Sequence, residues 1–131
     1  MNRYQFLLSE GARGDLNACR RRDPKSAAAV YVILQEIHSS ERACEDLVDE
    51  RFFDEVVESV QGLVSLQDRR INAYRVRLCD AGNWRLIMAV DHRSRRVGLL
   101  GVMPRSVDYE ADRALWDRIE REYDGLGFAR Y

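Results

Sequence analysis

Between residues 71 and 103 the chain carries three strand-length apolar runs separated by connections too short to hold a helix, and nothing else in it constrains the fold as much. Residues 71–78 alternate, with Tyr74, Val76 and Leu78 on one face and Arg75 and Arg77 on the other. Asp80-Ala81-Gly82-Asn83 reads as a turn and 84–91 as a second strand. A third strand over 97–103 follows the polar loop 92–96. Short connections make neighbours of consecutive strands, so the three should form an antiparallel meander, which Pro104 ends.

Helical spacing surrounds this meander. Residues 4–8 are short and apolar enough for an opening strand, after which Ser9 is placed to cap a helix through Ala12, Leu16 and Ala18 as far as Arg20-Arg21-Arg22. Asp23-Pro24 restarts the chain, with aspartate as the cap and proline at the first helical position. Ala27, Val30, Ile33, Leu34 and Ile37 then recur as one stripe, and the two helices form a hairpin. Ser39-Ser40 interrupts or recaps the second helix, and Cys44, Leu47 and Val48 extend the stripe. Residues 50–66 are ambiguous: Phe52, Phe53, Val56, Val57, Val60, Leu63 and Val64 fit a helix, while the β-branched content allows a strand. A last helix should start near Asp108, carry Leu115, Trp116, Ile119 and Tyr123, and stop at Gly125. The expectation is an α+β fold in one domain, 1–131. An N-terminal strand and a helical hairpin pack on an antiparallel sheet, with a C-terminal helix after it.

Several classes of function are excluded by what the sequence lacks. No apolar run approaches the ~18–20 residues of a membrane span. Met1-Asn2-Arg3-Tyr4 is not followed by the apolar core of a secretory signal. Cys19, Cys44 and Cys79 are an odd count without a Cys-x-x-Cys pair, which argues against a disulfide framework and a zinc cluster and for a reduced, cytoplasmic setting. His38 and His92 stand apart from each other, so neither suggests a metal site. Gly98 and Gly101 lie inside a strand pattern and do not make a phosphate-cradling loop.

Charge is the remaining signal. The net charge of −1 hides nine acids against two arginines in 36–58 and nine arginines against two aspartates in 69–105. A cationic block of this kind can present a phosphate-facing surface in a chain of pI 6.1. Within it, Arg75 and Arg77 share a strand face, Arg85 can join them from the next strand, Arg105 follows the third strand, and Tyr109 stands four residues on. RNA cleavage by the internal 2′-hydroxyl needs that hydroxyl deprotonated, the pentacovalent phosphorus stabilised and the 5′-oxygen protonated. Arginine's planar fork suits the second task. A tyrosine can stack on a base or, with a lowered pKa, move a proton. The alternative is that the arginines only snorkel off the sheet and the tyrosine packs on the last helix.

The order and spacing of these pieces resemble the RelE/ParE toxin superfamily. The matching runs are Tyr74-Arg75-Val76-Arg77-Leu78, Trp84-Arg85-Leu86-Ile87-Met88-Ala89-Val90-Asp91, the apolar strand 97–102, and Arg105-Ser106-Val107-Asp108-Tyr109. Leu8-Ser9-Glu10-Gly11-Ala12-Arg13-Gly14-Asp15-Leu16 is similar to the family's opening strand and "A-x-x-D-L" helix. Pro104 stands where the family usually has histidine, and 38–68 is longer and more acidic than the usual middle. The resemblance implies a toxin of a toxin–antitoxin pair that cleaves mRNA in the ribosomal A site as an endoribonuclease without metal or other cofactor. It assigns Arg75 and Arg77 to phosphate binding, Arg85 and Arg105 to the scissile phosphate, and Tyr109 to the substrate nucleotide. The partners it implies are a cognate antitoxin, laying an acidic or amphipathic helix over the arginine face, and mRNA on the ribosome, with a homodimer left open. Two alternatives keep the fold: a ParE-like toxin that inhibits DNA gyrase by binding it, and a non-catalytic protein-interaction module.

Overall fold

A computed structural model describes residues 4–104 and 112–130. Its elements follow the order β1 (Gln5–Leu8), α1 (Glu10–Arg22), α2 (Pro24–Ser39), α3 (Glu41–Asp46), β2 (Val57–Gly62), α4 (Val64–Gln67), β3 (Ala73–Leu78), β4 (Trp84–Asp91), β5 (Arg96–Pro104) and α5 (Arg113–Gly125). The helical boundaries are set by side-chain caps. Ser9 accepts from the Ala12 amide, Asp23 from Ser26, Ser40 from Ala43 and Asp112 from Leu115, each satisfying an amide that the first turn leaves open.

The strands form one five-stranded sheet in the order β1-β5-β4-β3-β2. The meander expected from the sequence is present, since β3, β4 and β5 pair antiparallel, and β2 joins β3 the same way. The sheet as a whole is mixed, not antiparallel, because β1 lies parallel to β5 with Phe6 opposite Val97. A parallel pair needs a long crossover, and the helical hairpin and three strands between β1 and β5 supply one.

Helices cover both faces. Trp84, Leu86, Met88 and Val90 of β4 point into one core with Leu16, Cys19, Val30, Ile33 and Ile37 of α1 and α2. Ile87 and Ala89 point into the other core, with Trp116, Ile119 and Tyr123 of α5. Every residue of β4 is buried as a result.

The ambiguous stretch 50–66 resolves into β2 and the single turn α4. Its β-branched valines decide the matter: Val57 and Val60 enter the α1/α2 core, and the Asp54 carboxylate receives the Val56 and Val57 amides at 2.8 and 2.7 Å where the strand begins. The acidic segment before it contributes Cys44, Leu47 and Val48 to the same core. The last helix starts at Arg113, and the expected start near Asp108 lies outside the described residues.

β1 reaches only as far as Leu99 of β5, which leaves the far half of β5 as a sheet edge. Two side chains close it. Asp15 of α1 accepts the Val102 amide at 3.0 Å, and Arg118 of α5 donates to the Leu100 carbonyl at 2.9 Å. Arg118 also grips Asp15 through both terminal nitrogens, at 3.1 and 2.8 Å, and lies 3.1 Å from Glu122. Glu122 in turn accepts from the Ser9 hydroxyl and the Gly11 amide at 2.7 and 2.8 Å. One polar chain thus ties the helices of opposite faces together through the strand edge that both protect. Among the described residues, no helix is long and apolar enough to cross a membrane.

Candidate functional site

The alternation of β3 sends Val76 and Leu78 into the α1/α2 core and leaves Arg75 and Arg77 on the α5 side. Pairing with β4 sets Arg77 opposite Arg85, and pairing with β2 sets Gln61 opposite Arg75 and Ser59 opposite Arg77. Met103 of β5 is the next residue across from Arg85. Three of the five candidate residues therefore share one sheet face. Arg105 and Tyr109, the other two, lie outside the described residues.

The three arginines differ in what holds them. Arg75 donates from Nη2 to the Gln61 carboxamide oxygen, and it lines a cleft of about 140 Å³ with Gln61, Ser65 and Trp116. Arg77 is 32% exposed in its side chain, with Nε 3.6 Å from a Glu58 oxygen. Glu58 occupies the bulge between Val57 and Ser59, where one extra residue re-aims the edge strand. A half-exposed pair at that distance contributes at most about 1 kcal/mol, so Glu58 restrains Arg77 without neutralising it strongly. Arg85 is 3% exposed and donates from Nη1 to the Trp84 carbonyl at 3.2 Å. The resemblance assigns Arg85 to the scissile phosphate; burial of β4 on both faces sets it beneath the surface.

Like charges directly opposed on neighbouring strands destabilise a sheet. Arg77 and Arg85 are register partners of this kind. The acidic segment meets the arginine face at its edge, where Glu58 lies beside Arg77 and Glu50 accepts the amide of Gly62, a residue of the Arg75 cleft. Cys44, Leu47 and Val48 anchor it in the opposite core, and Glu58 alone reaches Arg77 among the described residues.

The other candidates have structural surroundings. His38 meets Phe6 edge to face at 5.1 Å, and His92 Nδ1 is 2.8 Å from the Tyr4 hydroxyl. Burial pushes the Cys19 thiol up to about 11, with the Asp23 charge adding and Arg22 opposing, so it is an unreactive core residue. Cys44 is also buried, whereas Cys79 is exposed. Among the described residues, no group of three or more metal-ligating side chains converges. Sequence reasoning missed Gln61, Glu58 and Trp116 as neighbours of the arginines. The signal for Gln61 and Glu58 lay in the ambiguous stretch, whose assignment as a strand against β3 puts both beside the pair.

No protein-family model matches the chain, and neither curated proteins nor solved structures give a match. What fold and site define together is a class: an α+β protein with a five-stranded mixed sheet between helices and an arginine cluster on its α5 face.

Proposed function

We propose that the chain is a RelE/ParE-like toxin of a toxin–antitoxin pair, acting as a metal-independent endoribonuclease on ribosome-bound mRNA. The observation that carries this reading is the cross-strand register that opposes Arg77 and Arg85, with Arg75 two residues along the same face. The element order of strand, helical hairpin, meander and C-terminal helix agrees with the order the resemblance implies.

In this mechanism the 2′-hydroxyl gives its proton to solvent and attacks the adjacent phosphorus in line, forming a 2′,3′-cyclic phosphate, while the 5′-oxygen leaves and takes up a proton from solvent. Arg77 and the half-buried Arg75 meet the phosphate oxygens, and Arg85 stabilises the charge that grows on them from beneath the same face, where its field is less screened. Arg105 completes the phosphate grip, and Tyr109 stacks on or orients the nucleotide. The antitoxin blocks the same face by supplying carboxylates to it.

One observation favours a second reading. A guanidinium that is 3% exposed suits a fold that works by its surface, as a ParE-like inhibitor of DNA gyrase does, better than one that must admit a phosphate to that group. Induced expression in a bacterial host separates the two. The first reading expects growth arrest with mRNA cut within codons; the second expects arrest with intact mRNA and loss of gyrase supercoiling in vitro. Unimpaired growth with intact mRNA would reject both and leave an interaction module.

A further inference from the structure

We infer that the groove between α1, α2 and β1 binds a medium-chain carboxylate, its acyl chain on the apolar floor and its head group at Arg13. The site stands on the α1/α2 side of the sheet, away from the arginine face, and does not rest on the toxin reading.

The two helices and the opening strand leave a cavity of about 330 Å³ between them, a size that suits a small ligand. Its floor is apolar. Leu16 of α1 and Leu34 of α2 are buried, and Phe6 and Leu8 of β1 are half-buried. Tyr31 adds an aromatic wall and remains 37% exposed. Along α2 the lining runs from Tyr31 to His38, two helical turns or about 10 Å, which suits an acyl chain of about eight to ten carbons.

The rim has a different character. Arg13 and Asn17 reach the cavity from α1, and Gln35 and His38 from α2. Among the described residues, none of these four side chains makes a hydrogen bond or an ion pair; His38 is held by the edge-to-face contact with Phe6 at 5.1 Å. Every one of the four can donate a hydrogen bond, and no carboxylate lines the cavity. Arg13, Gln35 and His38 gather where α1 begins and α2 ends, so the donors concentrate at one end of the groove.

Charge and polarity together select the ligand. Arg13 is the one permanent cation of the lining, and its planar fork takes both oxygens of a carboxylate. A polyanion would set further charges over the leucines, without partners. A wholly apolar molecule would cover the rim donors and offer them no acceptor. One negative charge on a hydrocarbon chain satisfies both parts of the groove.

The alternative is a surface crevice edged by solvated side chains, which predicts weak, unsaturable binding indifferent to Arg13. The test is isothermal calorimetry of the full chain near neutral pH. The ligands are octanoate and decanoate, below their micelle concentrations, with octan-1-ol as the uncharged match. The site predicts one molecule bound per chain, with decanoate tighter than octanoate by about fifteenfold for its two extra methylenes. Arg13→Gln, an exposed helical position where glutamine keeps the propensity, should weaken octanoate by about tenfold or more and leave octan-1-ol unchanged. Arg21→Gln, exposed on the same helix but outside the cavity, should change neither. Tyr31→Ala should weaken the acid and the alcohol alike, severalfold, because it removes wall and not charge. Melting of each variant checks that it is folded. Wild-type protein that shows no saturable binding of decanoate would overturn the inference. So would equal losses in Arg13→Gln and Arg21→Gln, which would mean a diffuse field, or an equal loss of octan-1-ol in Arg13→Gln, which would mean a structural effect.

Discussion

The two faces of the sheet are made by alternate residues of the same strands, yet they are finished differently. Trp84, Leu86, Met88 and Val90 give the α1/α2 face an unbroken apolar row. On the α5 face the same strand reads Arg85, Ile87, Ala89 and Asp91, apolar at its centre and charged at both ends. The charge at one end is resolved locally: Asp91 accepts the amides of Arg93, Ser94 and Ala129 at 3.0–3.2 Å and so fastens the C-terminal tail. At the other end Arg85 faces a second arginine. One charged end fastens the C-terminal tail, and the other sets two arginines in register across neighbouring strands.

The comparison can be broken most forcibly at its centre. Leu86 and Ile87 are adjacent, fully buried and on opposite faces. Leu86→Ala and Ile87→Ala should each cost about 2–5 kcal/mol in denaturant unfolding. A large loss at Leu86 alone would mean that α5 does not pack as described. The polar chain between the faces comes next. Arg118→Met strands the part-buried Asp15 and Glu122 carboxylates and the Leu100 carbonyl, and should cost about 2–3 kcal/mol. Asp15→Asn on top of it should add much less than it costs alone, because both changes dissolve the same contacts.

Acid titration sharpens the contrast between the two ends. Burial raises the Asp91 pKa, but the Ala129 amide, the Ser94 hydroxyl and the Ser94 and Arg93 amides lower it further, leaving it below the ordinary 3.8. A carboxyl depressed in the folded state contributes stability that is present above its unfolded pKa and is lost as pH falls through the folded one. Asp91→Asn should therefore be less stable than wild type at neutral pH and converge with it in the acid limb. Parallel curves at every pH would contradict this. The smallest expected effect is chemical: with Cys19 and Cys44 buried and Cys79 exposed, one thiol of three should react promptly with an aromatic disulfide in the native state.

Most of the fold was legible because its signals are local. Ser9, Asp23 and Ser40 act where hydroxyl and carboxylate caps belong, and the period-2 pattern of β3 put Arg75 and Arg77 on a common face, which Arg85 joins through the strand register. Two features were not legible. The parallel pairing of β1 is a long-range choice, to which four residues contribute too little pattern. The burial of Arg85 depends on a second helical layer, and alternation along β4 cannot distinguish a solvated face from one covered by α5. β2 was half visible: valines announced a strand, but their spacing also satisfied a helix until pairing with β3 decided it.

The central claim is that the arginine face is the working surface, and a translation extract tests it directly. Purified protein is added to ribosomes engaged on a defined mRNA, and cleavage is read by primer extension, with Arg77→Gln alongside and folding of both checked by melting. Arg77 is the choice because it is half exposed, so its loss leaves the cores intact. The account predicts cuts within codons for the wild type and a reduction of about a hundredfold or more for the variant at unchanged melting temperature. Cleavage by Arg77→Gln at the wild-type rate would contradict it.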